Sequence, residues 1–260
     1  MIIINQRKFE LLLKDYNANF KGWDFSYIET SHRVQEYPLN WSYRSIVMNY
    51  LLNANILLDM GTGGGEFLSS LTPLPINTYA TESYKPNIEI ARKRLKPLSV
   101  KVIEIDDSGK LPFEDNFFEL IINRHEFYDP DEVYRILNTN GHFITQQVGD
   151  QNEKEINEWF DSKPYNSNEW NIEKASKDLL NSSFVILDSK EIITKTRFYD
   201  IGAVLYYLKA IPWQVPDFSI KKFYSRIVDL HNEIEQKGYF DSTCHRFIII
   251  AKKLLKKSQL

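Results

Sequence analysis

The segment Ile56-Leu57-Leu58-Asp59-Met60-Gly61-Thr62-Gly63-Gly64-Gly65-Glu66 constrains the fold of this chain more than any other. Ile56 to Leu58 has the apolar character of a strand buried on both faces, the condition inside a parallel sheet. The run ends on an acid, Asp59, and gives way to Gly61, Gly63, Gly64 and Gly65. Glycine permits backbone angles and close approaches that a side chain blocks. Glu66, Phe67 and Leu68 then open a helix whose first amides point toward whatever lies over the loop. A strand–loop–helix corner of this kind places a nucleotide-like ligand at the carboxyl end of a strand.

Downstream, short apolar runs alternate with helical patterns. Ile76 to Thr81 reads as a second strand, ended by Glu82. Asn87 to Lys96 is helical, with Ile88, Ala91 and Leu95 on one side and Pro97 as its stop. Val100 to Ile105 is a third strand with Asp106 and Asp107 at its exit, and Phe118 to Asn123 is a fourth. Asp131 to Leu137 is a short helix, with Asp131 and Glu132 suited to its positive end. Gly141 should break it, and His142 to Val148 reads as a fifth strand. This alternation predicts an α/β fold built on a doubly wound, mostly parallel sheet.

Two regions fall outside the alternation. Residues 1–50 carry helical patterns around an aromatic stretch that includes Trp23, Phe25, Tyr27, Tyr37, Trp41 and Tyr43, and they predict an N-terminal cover on a domain of residues 51–260. Phe184 to Leu187 and Phe247 to Ala251 read as closing strands. Between them an insertion at about 196–244 holds Tyr206, Tyr207, Pro212, Trp213 and Pro216. Such an insertion serves either as a lid or substrate wall, or as a second small core.

Composition narrows the partners. A chain of 260 residues can bury one substantial core, or one with a modest cap. The net charge of -3 gives no general attraction to nucleic acid. The single Cys244 cannot form an internal disulfide, no Cys/His set has zinc spacing, and a reducing cytoplasm fits. Met1-Ile2-Ile3-Ile4 is too short for a signal-peptide core, and no window has the length of a membrane span.

The loop spacing separates two ligand classes. A dinucleotide loop wants Gly-x-Gly-x-x-Gly or Ala, but here the last position is Glu66, a long acid that would repel a pyrophosphate. Asp59-x-Gly61-x-Gly63-x-Gly65 instead resembles the first motif of the class I S-adenosylmethionine-dependent methyltransferases. The resemblance runs from roughly Ile56 to Val148 and implies a seven-stranded Rossmann-like sheet. It implies that the loop, with Thr62, wraps the methionine end of the cofactor, that Asp59 orients that end, and that Glu82, beside Ser83, accepts from the ribose hydroxyls. A third place, Leu111-Pro112-Phe113, is similar to the family's Asp-x-x-x-Leu-Pro-Phe segment; it assigns the adenine-facing acid to Asp107, with Asp106 as second choice. The fourth is Glu132 to Leu137, where Asn138-Thr139-Asn140-Gly141 replaces the usual Lys-Pro-Gly-Gly, the turn being kept by Gly141.

In the family, the end of the fourth strand faces the transferable methyl group, and here it reads Asn123-Arg124-His125-Glu126. This is not the Asn-Pro-Pro-Tyr type of signature, and no cysteine stands there for covalent attack. Asn123 would line the cofactor through its backbone. His125 could deprotonate a nucleophile, and Arg124 could hold a carboxylate or phosphate, unless either merely pairs with Glu126 or Asp129. His32, His142, His231 and His245 show no metal or triad pattern and read as structural. The expectation is a methyltransferase using S-adenosylmethionine, without metal, on a small-molecule acceptor. An RNA methyltransferase and a non-catalytic S-adenosylmethionine-binding regulator stay open as alternatives, and a nicotinamide-dependent oxidoreductase is argued against by Glu66.

Overall fold

The computed structural model describes residues 2–106, 109–163 and 169–254. The first half contains helices α1 (Gln6–Leu12) and α2 (Ser26–Glu29), strand β1 (Val34–Glu36), α3 (Tyr43–Leu51), β2 (Ile56–Met60), α4 (Glu66–Ser70), β3 (Asn77–Glu82), α5 (Lys85–Leu95), β4 (Lys101–Glu104) and β5 (Phe118–Arg124). The second contains α6 (Pro130–Ile136), β6 (Leu137–Val148), α7 (Lys154–Phe160), α8 (Ile172–Asn181), β7 (Phe184–Phe198), α9 (Ile201–Ala210), α10 (Tyr224–Lys237) and β8 (Phe240–Lys253). The strands hydrogen-bond in the order β1-β7-β8-β6-β5-β2-β3-β4. Eight strands therefore replace the seven expected; the added one is the short β1, antiparallel to β7 through Val34–Phe198, Gln35–Arg197 and Glu36–Thr196.

The chain divides into two compact units. The glycine-loop unit comprises Asn40–Val148, Asn171–Glu191 and Arg246–Leu260. Here β2 pairs in parallel with β3 and β5, β3 with β4, and β5 with β6, while β8 runs antiparallel to β6. Leu57, Leu58, Asp59 and Met60 are all buried, as the apolar run before the loop requires. Alternation divides the inward residues between two faces. Leu57, Leu120, Ile122, Ile144, Ile248 and Ile250 share one core with Val47 of α3, Leu68 of α4 and Ala91 and Leu95 of α5. Phe143 belongs to the opposite face, against Tyr128 and Phe184.

Three expectations about strand ends are corrected. Helix α6 passes directly into β6 at Leu137, so Gly141 lies inside a strand and ends no helix. Phe118 pairs with Leu137 but Leu120 with His142, so Asn138 to Gly141 are accommodated as a bulge, with Asn140 left-handed at φ 66°. Strands β7 and β8 are also far longer than the four or five residues expected for each. In β7 the residues from Asp188 to Lys195 are all exposed or half-buried, so a polar composition concealed a strand.

A buried lysine closes the junction of α6 and β6. Lys253 Nζ donates to Asn116 Oδ1 at 2.8 Å, to the Tyr134 carbonyl at 2.6 Å and to the Leu137 carbonyl at 2.7 Å. These carbonyls sit where a helix runs out of amide partners and where positive charge is favoured.

The helical unit comprises Met1–Leu39, Gly149–Trp170 and Ile192–His245. Its core gathers Phe9, Phe160, Phe198, Tyr206, Ile227, Leu230 and Phe240. The aromatic insertion thus supplies a second core, and α9 is buried almost all round. Arg33 ties the unit together: Nε donates to Asp200 Oδ2 at 2.8 Å, and Nη2 reaches Asp200 Oδ1 at 2.7 Å and Asp15 Oδ2 at 2.5 Å. Asp200 also caps α9 by accepting from the Ala203 amide. A Cβ at Gly202 would collide with Asp15 and Arg33, so this ion pair needs a glycine beneath it.

Among the described residues, no helix is long and apolar enough to cross a membrane, and no cluster of His, Cys, Asp and Glu could hold a metal ion. Replacing Lys253 by Ala leaves the buried Leu137 carbonyl, the part-buried Tyr134 carbonyl and an amide oxygen short of a donor. Urea unfolding should show a loss of about 2–4 kcal/mol.

Candidate functional site at the glycine loop

The loop leaves β2 at Met60 and turns on three left-handed glycines, Gly61 (φ 65°), Gly63 (φ 61°) and Gly65 (φ 80°). It is tied to the neighbouring strand: the Thr62 amide donates to the Thr81 carbonyl at 2.9 Å, and the Gly61 amide to Thr81 Oγ1 at 3.4 Å. At Gly65 a Cβ would press on Leu95 of α5, so this glycine lets α4 and α5 approach. A Cβ at Gly61 would fall within 2.7 Å of Glu126, whose side chain lies over the turn. Glu66 is turned outward to Arg94 at 2.6 Å and takes no part in packing helix against sheet.

Asp59 and Glu82 occupy adjacent strand ends, and each is only 4% exposed. Burial lifts the Asp59 carboxyl to about 7; Thr62 and Arg124 pull it down and the nearby Glu82 pushes it up. The Thr62 hydroxyl lies close to Asp59 without good hydrogen-bond geometry, and its Oγ1 is buried with no partner. Glu82 is also raised by burial, against the pull of backbone amides. Its Oε1 accepts from the Ser83 and Tyr84 amides, both at 2.9 Å.

At the end of β5, Asn123 is fully buried. Its Oδ1 accepts from Thr145 Oγ1 at 3.0 Å and from Gln147 Nε2 at 2.6 Å. Its backbone carbonyl accepts from the Tyr43 hydroxyl at 3.0 Å, and its Nδ2 is buried without a partner. Register sets Asn123 beside Met60, one residue before the loop. Arg124 is exposed, with its guanidinium 5.4 Å from the centre of the Phe67 ring.

His125 follows in a left-handed conformation, φ 64°, its amide donating to the Gln146 carbonyl at 2.8 Å. Its ring meets neither Glu126 nor Asp129; Nε2 lies 3.2 Å from Gln146 Nε2, and Asp129 instead caps α6. The residue keeps solvent-exposed area although the chain crowds around it. That desolvation, with the charges of Arg246 and Arg124, holds its pKa well below the usual imidazole range. Because of the exposed area, the two like charges are the firmer cause.

Asp106 is exposed just past β4, and the Ile105 amide donates to the Glu82 carbonyl, which keeps this strand exit beside Glu82. Asp107 lies outside the described residues. The third and fourth motif places form one piece: Glu132 accepts from the Leu111 amide at 2.7 Å, and Arg135 donates to the carbonyls of Phe113 and Leu111. Sequence reasoning placed Trp41 and Tyr43 in the N-terminal cover and Thr81 in a strand, and gave no role at this site to Gln146 or Gln147. Two adjacent amides near the end of a strand, Gln146-Gln147, were the available signal.

With this geometry in place, comparison with known proteins separates family from fold. A family model described as a methyltransferase domain matches residues 58–145. This segment of the chain is thus similar to a methyltransferase domain. The match begins within β2, spans the glycine loop and Glu82, and ends in β6. Among solved structures, a methyltransferase candidate from Bacillus halodurans aligns with TM-score 0.59 and 16% identity, over 83% of this chain and 100% of its own. The cyclase SpnF aligns with TM-score 0.53 and 17% identity over 96% and 95%. A SAM-dependent methyltransferase from Aquifex aeolicus gives TM-score 0.51 and 13% identity over 96% and 100%. At these identities the structures share the fold. No curated protein matches the chain.

The Asp59 carboxyl binds its proton more tightly folded, at about 7, than at its ordinary value of 3.8. The associated stability is full below the lower value and is lost as pH rises through the higher one. Asp59→Asn should therefore stabilise the ligand-free protein by up to a few kcal/mol at about pH 8 and give little gain near pH 4. Parallel thermal melts at the two pH values measure this.

Proposed function

We propose that the glycine-loop unit binds S-adenosylmethionine and that the enzyme passes its methyl group to a small-molecule acceptor. One observation supports this above the rest. Two buried acids stand at a glycine-rich turn, and two buried polar atoms, Thr62 Oγ1 and Asn123 Nδ2, have no hydrogen-bond partner among the described residues. Unpaired buried polar groups are costly and suit a polar ligand that completes them.

The residues present fit the group. Gly61, Thr62, Gly63 and Gly65 would take its methionine end, with Asp59 orienting the ammonium. Since Glu82 Oε1 is engaged by two amides, Oε2 has the capacity to accept from the ribose hydroxyls. Ser83 stands beside that carboxylate, and Asp106 and Asp107 are assigned to the adenine side. When bound, S-adenosylmethionine supplies a sulfonium methyl whose displacement releases a neutral thioether.

The chain then has little chemistry to do beyond orientation and exclusion of water. Asn123 and the glycine loop fix one partner, and Arg124, braced on Phe67, suits an anionic group on the acceptor. The net charge of -3 supports a small acceptor over a nucleic acid.

Calorimetry with S-adenosylhomocysteine tests the reading. The wild type should bind one equivalent, Glu82→Ala should bind at least tenfold more weakly, and Gly63→Arg should not bind. A wild type that binds none, or whose melting temperature rises with NAD instead, overturns it.

A further inference from the structure

We propose that Trp41 and Gln146 form a positioning relay that fixes His125 as its Nδ1–H tautomer, so that His125 donates a hydrogen bond to the acceptor molecule and takes no proton from it. The inference deepens the methyl-transfer reading where it names the recipient of the hydrogen bond; the tautomer itself follows from geometry alone.

The relay begins at a group with a single capability. An indole Nε1–H can only donate, and Trp41 donates to Gln146 Oε1 at 2.8 Å. That contact decides which end of the amide is oxygen. The opposite end, Nε2, is a donor only, and it faces His125 Nε2 at 3.2 Å. A ring nitrogen that meets an NH2 group must offer its lone pair. The proton of neutral His125 is therefore on Nδ1.

Three further observations hold this state in place. Gln146 is 3% exposed, so water does not compete for its amide. Its backbone carbonyl accepts from the His125 amide at 2.8 Å, so the same residue holds His125 at backbone and ring. An imidazolium would set an N–H against the Gln146 NH2 and a positive charge beside Arg124 and Arg246. Among the described residues, nothing hydrogen-bonds to Nδ1, and the residue reaches solvent.

The consequence for the acceptor is chemical. With Nε2 taken and Nδ1 protonated, His125 presents a donor next to the Arg124 guanidinium. This pair recognises an oxygen that carries a lone pair and negative charge, as in a carboxylate or phenolate. The new bond then forms between that nucleophile and the methyl carbon as the carbon–sulfur bond breaks, sulfur keeping the electron pair. Any proton the acceptor brought goes to water. The proton-accepting role expected of His125 from the sequence gives way to a donating one.

Long-range proton–nitrogen spectra of the full chain with isotope-labelled histidine, at about pH 8, read the tautomer directly. The His125 signals are assigned by their loss in His125→Gln. The expected result is a protonated Nδ1 and a lone-pair Nε2. Gln146→Glu keeps an acceptor for Trp41 but offers His125 a carboxylate; it should move the proton to Nε2 and raise the ring's titration midpoint by about a unit or more. Trp41→Phe, which frees the amide to flip, should give a mixture of tautomers, and it serves if the first variant does not fold. A wild-type Nε2–H form, or a spectrum unchanged in the folded variants, overturns the relay. If the tautomer is as expected but S-adenosylhomocysteine does not bind, the relay stands and the methyl-transfer reading falls.

Discussion

Parallel pairing of β2 with β3 on one side and β5 on the other is the constraint on which the site depends. It aligns Asp59 with Ala80 and Ile122, and Met60 with Asn123, so that three strands end at one level. A slip of one residue would exchange the two faces of β2 and carry Asp59 away from the loop. The register is fixed because Leu57 and Leu58 are both fully buried, on opposite faces. The turn is then pinned by two bonds to Thr81, the residue just before Glu82. The loop and Glu82 are thereby coupled through one strand end.

The two acids at this level are buried alike but compensated differently. Glu82 gains backbone amides on Oε1, a form of solvation that costs no reorganisation when a ligand arrives. Asp59 has no such amides, and its carboxyl is lifted to about 7. A cationic ligand group is the natural complement of an acid in that condition, since it returns the charge that burial suppresses. The mismatch between the two acids fits the proposed binding corner, since a purely structural role would favour an apolar residue at position 59.

What was legible in the sequence is what local steric rules decide. Gly61, Gly63 and Gly65 adopt left-handed angles that other residues avoid, so their spacing reports the turn without any knowledge of the rest. Glu82 was readable because a strand's length fixes where its exit acid falls. Long-range partners were not readable. Nothing near Trp41 announces Gln146, which stands 105 residues away in β6. Nor does the polar run of β7 declare a strand, since one of its faces is left to water. Gly141 misled for a related reason: a glycine signals a backbone irregularity, and a bulge satisfies that as well as a turn does. Aromatics of the insertion pack into the core of the helical unit, while the ion pair Arg33–Asp200 joins residues too distant in sequence to be matched.

The fold alone does not select the chemistry, since a cyclase and a methyltransferase share it with this chain at low identity. Selection has to come from side chains at the strand ends, where the sheet stops dictating apolar residues. Here those positions hold Asn123, Thr145 and Gln147, which bond to one another, and Gln146, which bonds to Trp41 and His125. A network that is nearly closed is rigid, and its few leftover groups are therefore directional. Asn123 Nδ2 and the His125 Nδ1–H are such groups, and both are donors. These two donors, with Arg124 beside them, suit electron-rich atoms of an acceptor. That matches a transfer in which the acceptor contributes the electron pair and the protein contributes its position.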